Sequence, residues 1–161
     1  MEDPSALAQA IRLWQEGCQR LGAGDVDGAI ALYTRSIEAR PTAEGYTFRG
    51  WAMSFQGRLD EAIAECLRAI EVDPTFGNPY NDIGCYLMQQ GQLDEALIWL
   101  ERAKRAPRYE SPQFPYLNAG RIYVAKEMYS AALKEFEGAL EFNPGDRMAR
   151  AAVQALRTQI N

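Results

Sequence analysis

The chain has 161 residues, 47% hydrophobic and 24% charged, an ordinary globular composition that argues against disorder. Lys and Arg number 17 against 22 Asp and Glu, and the net charge of −5 has the wrong sign for non-specific nucleic-acid binding or for attraction to an anionic membrane. There is no histidine, which removes Ser/His and Cys/His nucleophile pairs, HExxH zinc sites and imidazole acid–base chemistry.

The three cysteines, Cys18, Cys66 and Cys85, form no CxxC pair and leave one over in any pairing. No disulfide framework is expected, and a reducing compartment fits better. The acidic start, Met1-Glu2-Asp3-Pro4, lacks the basic region and apolar run of a signal peptide. No stretch approaches the roughly 20 apolar residues that cross a bilayer. The expectation is a cytoplasmic protein without membrane or nucleic-acid partners, or a periplasmic one if a leader has been removed.

Residues 1–9 read as a short lead-in, and from residue 10 the chain repeats itself. Gly17, Gly50, Gly84 and Gly120 lie 33, 34 and 36 residues apart. The same intervals recur in Ala29, Ala62, Ala96, Ala132 and in Tyr33, Cys66, Leu100, Phe136. They recur again in Ser36, Ala69, Ala103, Ala139 and in Leu13, Tyr46, Tyr80, Tyr116. Columns sharing one irregular spacing define units at 10–42, 43–76, 77–112 and 113–144. Pro41, Pro74 and Pro144 close three of them, and Pro107 sits one place early in the other.

In the first unit, Gly22-Ala23-Gly24-Asp25-Val26-Asp27-Gly28 has the look of a phosphate or calcium loop. It lacks the Lys-Ser/Thr ending and a preceding strand, and it puts Ala23 and Thr34 at the first and twelfth calcium-ligand positions. The repeat explains it as a turn between two helices. Asp60 and Glu61, like Asp94 and Glu95, open second helices, where carboxylates favour the positive end of the dipole. In the third unit Tyr80, Ile83, Gly84 and Leu87 share one helical face, Gly91-Gln92 breaks the pattern, and Leu93 begins a second helix. Ala96, Leu97, Leu100 and Ala103 form its stripe, and Pro107 stops it. The small Gly and Ala columns let the paired backbones approach. Arg102, Lys104, Arg105 and Arg108 are expected at the C-terminal end of that helix, where cations suit the dipole. In the fourth unit Glu127 stands where a turn glycine is expected. In 145–161, Ala149, Ala152, Val153, Leu156 and Ile160 form an apolar stripe, with Arg147, Arg150, Gln154 and Arg157 facing away. This predicts a helix that caps the last unit.

The pattern W-x2-L-G-x2-Y…A-x3-F…A…P reads in the third unit as Tyr80-Ile83-Gly84-Leu87…Ala96-Leu100-Ala103. On these residues the chain resembles the tetratricopeptide repeat (TPR) family over 10–144, although Glu16 and Arg20 in the first unit replace usual apolar residues. The resemblance implies an all-α fold, a right-handed superhelix (α-solenoid) of four helix-turn-helix units plus a C-terminal capping helix. It also implies a non-catalytic protein-interaction scaffold, with no cofactor and no metal, whose ligand lies in the hollow of the superhelix. Carried over column by column, that hollow holds Trp14, Cys18 and Leu21, then Thr47, Trp51 and Phe55. The later units add Asn78, Asn81, Cys85 and Met88, then Phe114, Leu117 and Arg121. Aromatics, Met and Arg are enriched at interface centres, so an apolar or aromatic peptide or an amphipathic helix is the expected ligand. Against this, Trp14 can pack under the segment around Leu7, Phe55 can be covered by the following helix, and Cys18 and Cys85 can be small apolar fillers.

The family's carboxylate clamp needs Lys and Asn in the first unit, Asn in the second, and Lys and Arg in the third. The matching positions are Trp14, Cys18, Phe48, Asn78 and Asp82; none fits, and Asp82 would repel a carboxylate. The run from Asn81-Asp82-Ile83-Gly84 through Pro107–Pro112 to Leu117-Asn118-Ala119-Gly120 resembles the middle of pilotin-type TPR proteins, which assist type IV pilus assembly and share the lengthened link. It covers about a quarter of the chain, without a lipidation signal. The competing expectation is a self-associating structural or assembly protein, a homo-oligomer using its exposed aromatics as the contact. No constellation of residues supports an enzyme.

Overall fold

Two helices form in each repeat because apolar stripes at 3.6-residue spacing alternate with short breaks. The computed structural model describes residues 3–161. Over them the chain runs α1 (Pro4–Gly22), α2 (Val26–Ala39), α3 (Ala43–Phe55), α4 (Leu59–Val72), α5 (Asn78–Gln89), α6 (Leu93–Lys104), α7 (Gln113–Ala125), α8 (Tyr129–Phe142) and α9 (Arg147–Ile160). Most of the lead-in belongs to α1, which Asp3 caps by accepting from the Ser5 amide at 2.9 Å. Met1 and Glu2 lie outside the described residues. The glycine-rich run is the α1–α2 turn, where the Asp25 carboxylate accepts from the Gly28 amide at 2.9 Å and caps α2.

Close approach within each pair explains the glycine column. A Cβ on Gly50 would sit 2.9 Å from the Ala62 carbonyl oxygen, and one on Gly84 would sit 2.6 Å from the Leu100 side chain. Ala29, Ala62, Ala96 and Ala132 are wholly buried on the facing helices. The first helices α1, α3, α5 and α7 also touch one another in sequence and form an inner layer, with the second helices stacked outside. The Ser36 hydroxyl, fully buried where later units have alanine, donates to the Ala10 carbonyl at 2.7 Å and ties α2 to α1. Arg49 on α3 makes a two-pronged ion pair with Glu65 on α4, at 2.6 and 3.0 Å, and reaches Thr34 on α2 at 3.3 Å.

Helix α9 packs on α8 and seals the array with Ala149, Val153 and Leu156 against Phe136 and Leu117. The expected stripe is shorter than its sequence pattern: Ile160, in the last turn of the last helix, is 44% exposed.

Of the four cations at the end of the third unit, Arg102 and Lys104 occupy the last turn of α6 and Arg105 its C-cap, as expected, and three of the four also find partners elsewhere. The Arg102 guanidinium stacks on Trp99 and Tyr80, at 4.4 and 5.1 Å from the ring centres. Lys104 bonds Glu101 and crosses to Glu135 on α8 at 2.7 Å. Arg105 stays exposed at the C-cap of α6. Arg108 lies in the lengthened link between α6 and α7, which doubles back on the link before α5. Its amide donates to the Thr75 carbonyl at 3.0 Å, and its carbonyl accepts from the Gly77 amide at 2.9 Å. Tyr109 fills the space left by Gly77, where a Cβ would come within 2.6 Å of the tyrosine ring.

The turns between paired helices use a left-handed residue at Gly24, Gly57 and Gly91 (φ 85°, 74° and 79°), and Glu127 takes the same place at φ 58°. A side chain there crowds its own backbone, a cost glycine does not have. Glu127→Gly should stabilise the fold by about 0.5–1 kcal/mol, part of the gain being offset by the entropy of an unfolded glycine. Urea unfolding measures it. Gly50→Val should cost about 1–3 kcal/mol, because the obstructing atom is a backbone carbonyl that cannot swing aside. A higher or unchanged melting temperature would contradict the close-approach account.

Candidate functional site

The inner-layer helices carry the residues expected to meet a ligand, and the structure separates them into several groups. On α3, Trp51 and Phe55 are 43% and 60% exposed, with ring centres 5.5 Å apart, an open aromatic pair. Phe114 stands exposed at the start of α7, and Met88 is half-buried against the core around Leu87 and Leu100. Thr47, Leu117 and Leu21 are buried and face no open surface. The Thr47 hydroxyl donates to its own helix at the Ala43 carbonyl, Leu117 belongs to the core under α9, and Leu21 packs with Ala29 and Tyr33.

Asn81, Cys85 and Arg121 are joined by Asn118, a residue that sequence reasoning passed over. The Asn118 amide donates to Asn81 Oδ1 at 3.0 Å and to Cys85 Sγ at 3.2 Å, and Arg121 donates to Asn118 Oδ1 at 3.3 Å. The guanidinium also reaches Met148 of α9 at 3.1 Å. This polar chain links α5 to α7, and burial pushes the Cys85 thiol up to about 12. Cys18 is half-buried, accepts from the Tyr33 hydroxyl at 3.4 Å, and has its thiol raised by burial. Neither cysteine is an activated nucleophile.

The third group forms a cleft of about 270 Å³ where the first three units meet the lengthened link. Trp14 packs on Phe48 at 5.3 Å, and its indole N–H is buried without a partner among the described residues. Phe76 and Asn78 form the floor beside α5, while Glu44 and the link residues Arg108, Glu110 and Ser111 form the rim. Arg108 bonds Asp73 at 2.7 Å and Glu44 at 2.8 Å, with its guanidinium 4.3 Å from the centre of the Phe76 ring. The Thr75 contacts and the Arg108 side chain together hold the Asp73 carboxyl below its usual range. The signal for this cleft in the sequence is the 36-residue interval, which lengthens one link and places an arginine within it.

No helix among the described residues is long and apolar enough to cross a membrane. The position that would repel a clamped carboxylate behaves differently once folded. Burial pushes the Asp82 carboxyl up to about 7, partly offset by the Asn81 amide, in surroundings made by Cys66, Cys85, Tyr86 and Tyr109. The folded chain keeps a proton that the unfolded chain releases near pH 4, so this group's contribution to stability is full in acid and is lost as pH rises through 7. Asp82→Asn should therefore stabilise the protein more at about pH 8 than at about pH 5.5. Paired urea titrations at the two pH values check it, and equal effects at both would refute the buried acid.

Three tetratricopeptide repeat models match this chain, over residues 14–75, 65–98 and 115–146. The small glutamine-rich tetratricopeptide repeat-containing protein 2 of Mycosarcoma maydis is 36% identical over 92 residues, covering 56% of this chain and 26% of that protein. Sperm-associated antigen 1 of Rattus norvegicus is 36% identical over 162 positions, covering 90% of this chain and 18% of that protein. The chain thus spans about a quarter or less of either relative. Among solved structures, Pseudomonas aeruginosa PilF superposes with a TM-score of 0.89 at 18% identity, covering 96% of this chain and 70% of that one. YrrB, described as a TPR protein with an unusual peptide-binding site, superposes with a TM-score of 0.68 at 21% identity, covering 96% and 76%. At such identities these two show the fold alone. With the repeated Gly and Ala contacts, the left-handed turns and the matches along the array, the chain belongs to the tetratricopeptide repeat family.

Proposed function

We propose that the chain is a non-catalytic protein-interaction scaffold that holds an apolar or aromatic peptide segment, or an amphipathic helix, against its inner layer. The observation that carries this is the open Trp51–Phe55 pair on α3. Two large rings left in water lose solvation cost when a partner covers them, and aromatic anchors of this kind dominate interface energies. Phe114 on α7 is a further exposed ring on an inner-layer helix. The half-buried thiols with raised pKa values offer no nucleophile, in keeping with a binding role. Three free cysteines suit a reducing compartment such as the cytoplasm.

The test is selection of peptides from a displayed random library against the purified protein, followed by affinity measurement with wild type and Trp51→Asp. Both proteins should show the same helicity and melting temperature, since Trp51 is exposed. Selected peptides should carry aromatic or aliphatic anchors and should bind Trp51→Asp at least tenfold more weakly, about 1.4 kcal/mol. Equal binding by the two proteins would remove the inner-layer aromatics from the site. A mass that rises with concentration in wild type but not in Trp51→Asp would instead assign the pair to self-association.

A further inference from the structure

The cleft at the lengthened link has a chemistry different from that of the aromatic pair. Two carboxylates, Glu44 and Glu110, line it with one cation, Arg108, and a third carboxylate, Asp73, bonds that cation from outside the lining. Glu110 is exposed and forms no ion pair among the described residues. The chain itself shows how this corner treats a guanidinium: Arg108 lies on the Phe76 ring and is held between two carboxylates. Next to it, the Trp14 and Phe48 rings offer a second aromatic wall, with Glu110 at the rim.

We propose that this cleft is a subsite for a basic side chain, arginine or lysine, of the peptide bound along the inner layer. The assignment rests on the groove reading above and adds the charge of the ligand to it. Glu44 and Glu110 against Arg108 leave the lining negative, and Asp73, bonded to Arg108, adds to that sign, on a chain whose own net charge is −5. An acidic side chain would meet repulsion there. A neutral apolar one would leave Glu110 uncompensated and the charge unused. A cation gains the Trp14 and Phe48 rings and the Glu110 carboxylate, which Arg108 leaves free. The carboxylate clamp of other arrays in the family selects the opposite charge, so ligand preference should be inverted here.

The experiment uses fluorescein-labelled decapeptides that share two leucine anchors and differ only at one scanned position, filled by Arg, Lys, Gln or Glu. Anisotropy is read for the full chain, for Glu110→Gln and for Trp51→Asp, at low and high salt. Glu110 is exposed and unpaired, so its variant should melt like wild type. Basic peptides at the best position should bind about tenfold more tightly than the Gln peptide, with the Glu peptide weakest. High salt and Glu110→Gln should each reduce the basic advantage to about threefold or less. If all four peptides bind wild type equally and are lost together in Trp51→Asp, the groove reading stands and the basic subsite is overturned. If the basic preference survives Trp51→Asp and disappears in Glu110→Gln, the subsite stands and the aromatic anchor is wrong. If none of the four binds, both are overturned.

Discussion

In each unit the two helices meet at a point where a side chain on the first would run into the second. At Gly50 the obstacle is a backbone carbonyl, 2.9 Å from where a Cβ would lie; at Gly17 and Gly120 it is the ring of Tyr33 or Phe136, at 2.6 and 2.7 Å. That contact sets the spacing of the pair. The spacing in turn buries the alanine column on the second helix and leaves the next stripe of the first helix free for other uses. The inner layer is a consequence of this packing: once one stripe of α1, α3, α5 and α7 is committed to its partner, the neighbouring stripe lines the space between successive units.

Polar groups join the units where that apolar contact leaves gaps. Arg49 and Glu65 bind α3 to α4 nearly out of water, and removing either partner would strand a buried charge, a change that costs about 3–5 kcal/mol. Asn118, bridging Asn81, Cys85 and Arg121, does the same job between α5 and α7 through hydrogen bonds of its neutral amide. Asp82 is the exception. Among the described residues it has no cation as partner, it lies within electrostatic reach of Tyr109, and its raised pKa means that the fold tolerates it most easily when protonated.

The lengthened link changes the surface more than its length suggests. Two added residues allow the chain after α6 to pair with the chain before α5, and Arg108 then reaches Glu44, 64 residues earlier. A groove open at that end becomes a cleft with a carboxylate rim. On the proposed reading, the aromatic pair on α3 and this cleft would make two kinds of contact with one ligand: apolar area for affinity and charge for selection.

Much of this protein can be read from its sequence because repetition multiplies a weak signal. One helical stripe is ambiguous, but columns sharing the intervals 33, 34 and 36 leave one fold class, and the Gly and Ala columns identify which faces meet. Even the departure at Glu127 was visible as a missing glycine, and the structure shows it in the left-handed region. Periodicity could not decide which of two adjacent apolar stripes is covered. Thr47 and Leu117 therefore looked like neighbours of Trp51 but lie in the core, since burial depends on the helices packed across from them. The pairing of Arg108, the role of Asn118 and the buried carboxyl of Asp82 were also out of reach of the sequence. Each depends on groups from different units brought together at a few ångströms, and only the tertiary structure decides which distant residues share that space.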